Sequence, residues 1–432
     1  MKKIWTSLLL CNLSIITFCQ YSWTKFGTSP VLERDTVFAS LSNDFYAISD
    51  NFVLREGDLY KMWYTCGGFN YPTDEFNLRA RICYCESSDG INWEKSDANP
   101  VMDVSYDGWD SLGVETVSVL IDPLADPSQR YKMWYAGLTD ETGTYHIGYA
   151  YSSDGLNWSK APEPVLLVGS DTQWDNGFLE GPSVILEDGT YHMWYAAFDG
   201  VFDGQETDGY VSIGYAYSSD GINWEKYENN PVLEVSPFGW DSIYVQDPHV
   251  LKIEGIYYMW YGGANQYDLF GQQVGIATSL DGINWNKSIE NPVLVRGESG
   301  TWDENTASFP SVLWDEDGSL KMWYTGKDVE PLPEGSTDYF WEIGYAVGTT
   351  VFSSIDFEVK DTILVAPNPF KDYILINING DFVYQMYTAV GDLILEGNGS
   401  NKAILETNNL SNGSYVLTLI SNNQHLTYKL IK

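Results

Sequence analysis

The chain has 432 residues, with 23 Lys and Arg against 60 Asp and Glu, for a formal net charge of −37. Phosphate contact needs a basic face, so this balance excludes a nucleic-acid partner. Beyond the N-terminus no stretch is long and apolar enough to cross a bilayer as a helix of ~20 residues.

Residues 1–19 read as a secretion signal. Lys2 and Lys3 form the charged end, residues 4–18 are mostly apolar, and Thr17 and Cys19 supply small residues for cleavage before Gln20. Residues 20–350 are organised by five copies of one tripeptide: Met62-Trp63-Tyr64, Met133-Trp134-Tyr135, Met193-Trp194-Tyr195, Met259-Trp260-Tyr261 and Met322-Trp323-Tyr324. The tryptophans are 71, 60, 66 and 63 residues apart. Within each repeat the alternating apolar pattern and turn residues predict four short strands, as in one blade of a β-propeller. The expected fold is therefore all-β, a five-bladed β-propeller.

The ends of this region have complementary defects. Trp23-Thr-Lys25 followed by Pro30-Val31-Leu32 repeats Trp224-Glu-Lys226 followed by Pro231-Val232-Leu233. It thus reads as an outermost strand with no blade before it, whereas the fifth repeat lacks that strand after Ile343-Gly-Tyr-Ala346. The N-terminal strand, residues 21–26, is expected to complete the last blade and close the ring, which removes the exposed sheet edges.

Two recurring features read as structural. Asp89-Gly90, Asp154-Gly155, Asp220-Gly221 and Asp281-Gly282 are each separated from a following tryptophan by two residues and suit tight turns, both residues tolerating φ > 0. The pairs Trp109-Asp110, Trp174-Asp175, Trp240-Asp241 and Trp302-Asp303 recur once per repeat, with Asn43-Asp44 in that place in the first. Of the cysteines left after signal removal, Cys83 and Cys85 replace the Gly148 and Ala150 of the next repeat and read as small packed residues. A bridge from Cys66 to either is the alternative. Histidines 146, 192 and 249 fall in different repeats at no ligand spacing, so no metal site is expected.

Chemistry is expected where the repeats differ. The prolines Pro182, Pro248 and Pro310 align with Asn51 and Val117 in the first strand of each blade, the strand taken to line the axis. The two residues before that column are Ser49-Asp50, Glu115-Thr116, Glu180-Gly181, Gln246-Asp247 and Ser308-Phe309. Four blades place a carboxylate there, and convergent carboxylates in a concave site suit acid–base work because crowding and desolvation separate their pKa values. Asp50, Glu115, Glu180 and Asp247 are the catalytic candidates. The loops between second and third strands should open on the same face and are rich in aromatics and amides. Tyr71, Phe198, Phe202, Tyr267 and Trp341 are the candidate sugar-binding residues, since an aromatic face matches the apolar side of a sugar ring.

The motifs Asp50-Asn-Phe-Val, Glu180-Gly-Pro-Ser and Asp247-Pro-His-Val make residues 21–350 resemble the five-bladed glycoside hydrolases of families 43 and 32 and their relatives. Carried over by motif from family 43, the resemblance implies Asp50 as base or nucleophile, Glu180 as general acid and Asp247 as a tuning carboxylate. The order differs from that family, where the Asp-Pro site precedes Glu-Gly-Pro, and Glu115 is an additional acidic candidate. The implied activity is hydrolysis of poly- or oligosaccharides by carboxylates, with no cofactor required and a structural Ca2+ on the axis left open. A non-catalytic carbohydrate-binding propeller and a glycoside phosphorylase are the alternatives. A monomer is expected.

Composition changes beyond residue 350. After a linker at 351–362, residues 363–432 contain no tryptophan and show short alternating strands. Pro367-Asn-Pro-Phe370, Gly391-Asp-Leu-Ile394, Leu410-Ser-Asn-Gly-Ser-Tyr415 and Lys429-Leu-Ile-Lys432 resemble the C-terminal sorting domain of the type IX secretion system of Bacteroidetes. That resemblance implies a small β-sandwich, engagement of the type IX secretion machinery, and an extracellular protein, secreted or anchored at the outer-membrane surface.

Overall fold

In the computed structural model, residues 20–34, 47–67, 79–139, 143–170, 172–200, 209–315, 319–327, 341–351, 364–366, 373–388, 393–411, 413–421 and 424–432 are described. The signal segment, the Asn43-Asp44 pair and the linker lie outside these residues. The chain divides into two compact units, 1–351 and 352–432.

The larger unit begins with β1 (Gln20–Lys25) and continues through five antiparallel repeats. The first is β2 (Ala47–Glu56), β3 (Leu59–Gly67), β4 (Arg81–Ser87) and β5 (Glu94–Lys95); the second is β6 (Gly113–Ile121), β7 (Tyr131–Leu138), β8 (Tyr145–Ser152) and β9 (Ser159–Lys160). The third is β10 (Phe178–Glu187), β11 (Thr190–Asp199), β12 (Tyr210–Ser218) and β13 (Glu225–Lys226); the fourth is β14 (Tyr244–Ile253), β15 (Ile256–Asn265), β16 (Asp268–Ser279) and β17 (Asn286–Lys287). The fifth has β18 (Thr306–Trp314), β19 (Leu320–Lys327) and β20 (Trp341–Val351). Its fourth strand is β1, which pairs antiparallel with β20 from Gln20 opposite Val351 to Lys25 opposite Ala346. The first strands touch in a closed cycle, β2 to β6, β10, β14, β18 and back to β2.

The repeated residues make the contacts between repeats. Each Met-Trp-Tyr tryptophan is buried, and in four of the five the indole N–H reaches the next repeat's Asp-Gly turn. Trp63 donates to Gly155 O, Trp134 to Gly221 O, Trp194 to Gly282 O and Trp323 to Gly90 O, at 2.7–2.8 Å. Only the glycine of each turn is left-handed, at φ 75–79°. The aspartate instead caps the turn, as where Asp220 Oδ1 accepts from the Ile222 and Asn223 amides at 2.8 Å. A Cβ on these glycines would lie 2.7–2.9 Å from the tryptophan ring, so glycine is required by contact as well as by conformation. Among the described residues the fifth repeat has no such turn, and Trp260 Nε1 is correspondingly buried with no partner. Trp23 packs edge-on against Trp260 at 6.3 Å, as Trp158 packs on Trp63 at 6.3 Å.

The Trp-Asp pairs anchor four of the five outer strands. Asp110, Asp175, Asp241 and Asp303 are buried and bind Lys160, Lys226, Lys287 and Lys25 at 2.5–2.7 Å. Lys25 on β1 therefore does for the fifth repeat what Lys160, Lys226 and Lys287 do for the second, third and fourth. Deleting residues 20–26 would leave Asp303 buried without its cation and expose the β20 edge, losses that together amount to several kcal/mol. The deletion is expected to lower the melting temperature and cause aggregation, measured by thermal melts and size exclusion. Wild-type behaviour in both would sink this account of closure.

One sequence reading is corrected. Cys66 and Cys83 form a disulfide with Cα atoms 5.8 Å apart, and Cys85 is buried and reduced. Antiparallel register places Cys83 opposite Tyr64 and Arg81 opposite Cys66, so the two cysteines are diagonal neighbours on one sheet face.

The smaller unit contains β21 (Leu364–Ala366), β22 (Tyr373–Thr388), β23 (Leu393–Glu406), β24 (Ser414–Ser421) and β25 (Gln424–Ile431). They join in one antiparallel sheet because the long β22 pairs with β21, β23 and β24. Ile374, Ile376, Phe382, Met386, Leu417 and Leu419 form its core.

Candidate active site

Every first strand carries a β-bulge at the same place, with register shifts at Ser49/Phe52, Glu115/Val117, Glu180/Ser183, Gln246/His249 and Ser308/Ser311. The bulged residue is left-handed in all five: Asp50 at φ 50°, Thr116 at 46°, Gly181 at 54°, Asp247 at 51° and Phe309 at 51°. A non-glycine residue there costs about 1–3 kcal/mol, and such strain concentrates at functional sites. Hydroxyls hold three of the bulges: the Asp50 amide donates to Thr325 Oγ1 at 3.1 Å, Thr116 to Thr65 Oγ1 at 3.3 Å and Gly181 to Thr116 Oγ1 at 3.1 Å.

The bulge splits the four candidate carboxylates into two sets. Asp50 and Asp247 are the bulged residues of the first and fourth repeats. Glu115 and Glu180 precede the bulge in the second and third. All four are brought within electrostatic reach of one another. Burial is the largest influence on each and opposes ionisation. Asp50 is raised to about 6, with hydrogen bonds from Thr65 and Ser49 opposing the rise. Glu115 is raised to about 8 by burial and then by Asp50, against a hydrogen bond with Tyr145. Glu180 lies well above its ordinary value through burial and the charges of Glu115, Asp247 and Asp50. Asp247 is also well above, through burial and Asp50, with Gln246 opposing.

Neighbouring groups orient these carboxylates. Ser49 Oγ donates to Asp50 Oδ2 at 3.0 Å, and Gln246 Nε2 donates to Asp247 Oδ2 at 2.9 Å and to Gln272 Oε1 at 3.3 Å. A Cβ on Gly181 would sit 3.1 Å from Asp247 Oδ1, so glycine allows Asp247 its position. Between Asp50 and Asp247 lies a cavity of about 30 Å³ on the axis. Two residues beyond the bulges, the rings of Phe52 and His249 meet at 5.5 Å and bound it. Burial pushes the His249 imidazole down to about 4, so it is neutral at pH 7. Among the described residues no group of three or more His, Cys, Asp or Glu could hold a metal ion.

The predicted aromatics do not share one environment. Trp341 stands edge-on to the bulged Phe309 at 6.1 Å, beside the site. Tyr267 is 89 % exposed on the turn between β15 and β16. Phe198 is corrected: it is 1 % exposed and stacked on Phe178 at 5.3 Å, so it has no face to offer a sugar. Tyr71 and Phe202 lie outside the described residues. Sequence reading missed Tyr145, Asn51, His249 and Gln272. Tyr145 opens β8 opposite Leu138, and its only signal was an aromatic at the start of a third strand.

Residues 123–287 match the glycosyl hydrolases family 32 N-terminal domain. Residues 364–432 match the secretion system C-terminal sorting domain. Both resemblances read from the motifs are thus supported, and the sorting domain marks the chain for secretion. An uncharacterized protein of Mycobacterium tuberculosis (strain ATCC 25618 / H37Rv) is 31% identical over 184 residues, 42% of this chain and 56% of that protein. The 1,2-beta-oligomannan phosphorylase of Thermoanaerobacter sp. (strain X514) is 26% identical over 181 residues, 40% of this chain and 60% of that protein. The chain thus spans little more than half the length of these curated relatives. The crystal structure of a thermostable family-43 glycoside hydrolase superposes with a TM-score of 0.52 at 21% identity, covering 69% of this chain and 89% of that one, a likeness of fold.

Proposed function

We propose that the chain is a secreted glycoside hydrolase in which residues 20–350 form a five-bladed propeller and residues 363–432 a small sorting sandwich, delivered by type IX secretion and active as a monomer. Asp50 is the base or nucleophile, Glu180 the general acid, Asp247 the tuning carboxylate and Glu115 an auxiliary acid, with Trp341 and Tyr267 contacting sugar. The observation that carries this reading is the separation of proton affinities within one cluster. Asp50, raised to about 6, is mostly ionised at neutral pH, and burial with the charges of Glu115, Asp247 and Asp50 pushes Glu180 well above its ordinary value, the direction a general acid requires. Two carboxylates suffice for glycoside hydrolysis without a cofactor.

The oligomannan phosphorylase among the relatives favours phosphorolysis as a second reading. Phosphate binding calls for Arg or Lys at the reacting centre, and the described lining of the axial cavity contains neither. The test is a panel of poly- and oligosaccharides, β-mannosides and β-fructosides included, incubated with and without inorganic phosphate. Free reducing sugar released at equal rates in both supports hydrolysis. Sugar 1-phosphate formed only with phosphate would replace it with phosphorolysis, and binding without release would leave a carbohydrate-binding propeller.

A further inference from the structure

One buried group at the axis is unexplained by the acid–base assignment. In the column that follows the bulges, Val117, Pro182, Pro248 and Pro310 are apolar, but the first repeat places Asn51 there. Asn51 is 6 % exposed, and neither its Oδ1 nor its Nδ2 has a hydrogen-bond partner among the described residues. Its column neighbours have no side-chain donor or acceptor to give it. A buried amide left unpaired at both ends is strongly disfavoured, so a native fold keeps one only where something pairs with it.

Asn51 borders the axial cavity of about 30 Å³, together with Asp50, Asp247 and His249. That space admits one or two waters. The amide needs a partner that both accepts and donates. An anion satisfies only Nδ2 and is repelled by the carboxylates, while a cation satisfies only Oδ1. Water does both, and it needs two to four polar partners, which Asn51, Asp50 and the neutral His249 ring can supply.

We infer that Asn51 holds an ordered water on the propeller axis, and that this water hydrogen-bonds the Asp50 carboxylate and keeps it ionised as a base. Asn51 is then a positioning residue acting through water. The groups facing Asp50 are Ser49 on its own strand, Thr65 on β3, Glu115 on β6, Tyr145 on β8, Glu180 on β10, and Asp247 and the neutral His249 on β14. Of these, only the Ser49 and Thr65 hydroxyls favour its charged form. The water is a third donor. The catalytic part of the inference rests on Asp50 being the base; the water site itself does not.

The test combines diffraction with two pH titrations. A crystal structure of the wild-type protein at atomic resolution should show a water within hydrogen-bond distance of both Asn51 and Asp50. Asn51→Val, which copies the residue of the second repeat, should lose that water and move the acid limb of the kcat/KM profile upward by about one pH unit. Asn51→Ser, which retains one hydrogen-bonding group, should fall between the two. Infrared titration of the protonated-carboxyl band should show the same displacement without any substrate. An Asn51 amide bonded to protein, or a metal-like density with short contacts, overturns the site. A water present in the wild type with both titrations unmoved in Asn51→Val overturns its role towards Asp50. If the wild type cleaves no glycoside, the hydrolase reading fails, while the diffraction and infrared results still decide the water.

Discussion

Asp50→Asn is expected to lower turnover by orders of magnitude and, at the same time, to stabilise the protein above pH 6. The folded-state pKa of Asp50 is raised from 3.8 to about 6. The folded protein therefore binds this proton more tightly than the unfolded chain does. The group's favourable contribution is complete below pH 4, falls as pH rises through the interval, and is lost above 6. A rise of this size means that the ionised side chain carries about 3 kcal/mol of strain at pH 7, as an order of magnitude. Asparagine removes the charge and tolerates the left-handed φ of 50° as well as aspartate does. The variant should melt several degrees above wild type at pH 8 and alongside it at pH 4, with kcat/KM down by about 10²–10⁴-fold. Melts in buffers from pH 4 to 8 decide it. A variant no more stable than wild type at pH 8 would mean that Asp50 is not an ionised, desolvated group.

Much of the framework was legible because it repeats. The Met-Trp-Tyr tryptophans, the Asp-Gly turns and the Trp-Asp pairs each make one inter-strand or inter-repeat contact, copied around the ring. The missing outer strand at one end and the surplus strand at the other indicated the β1–β20 pairing. In the sequence, φ alone accounts for the glycines of the turns. The tryptophan ring packed over each is an equal constraint that only three-dimensional packing displays.

The site was legible in its location and less so in its detail. Aligning the prolines of the first strands found the segment where all four carboxylates sit. It could not show that a bulge separates Asp50 and Asp247 from Glu115 and Glu180, because an inserted residue that recurs in every repeat leaves no trace in their alignment. Asn51 and His249 each interrupt a column of small or apolar residues once, a difference the alignment displays without tying it to a role. The Cys66–Cys83 bridge depended on the register of β3 against β4, and the burial of Phe198 depended on Phe178 from the neighbouring strand. Neither follows from composition or spacing.

Glu180→Gln should separate substrates by their leaving groups. Glu180 is buried, has Glu115, Asp247 and Asp50 as like-charged neighbours, and holds its proton well above the ordinary range. A protonated carboxyl and a carboxamide are close in size and both neutral, so the variant should keep the fold, the wild-type melting temperature at pH 7 and the affinity for sugar. It can no longer transfer a proton to the departing oxygen. Alkyl and sugar leaving groups, which depart as strong bases, should react about 10²–10⁴-fold more slowly. Nitrophenyl glycosides depart without protonation and should slow much less. The alkaline limb of the wild-type kcat/KM profile, which reports loss of the acid's proton, should disappear for the aryl substrate in the variant. Glu115, raised to about 8, is the alternative donor and makes the outcome specific. Equal slowing of both substrate types would remove Glu180 from the role, and leaving-group-dependent slowing in Glu115→Gln instead would transfer it to Glu115.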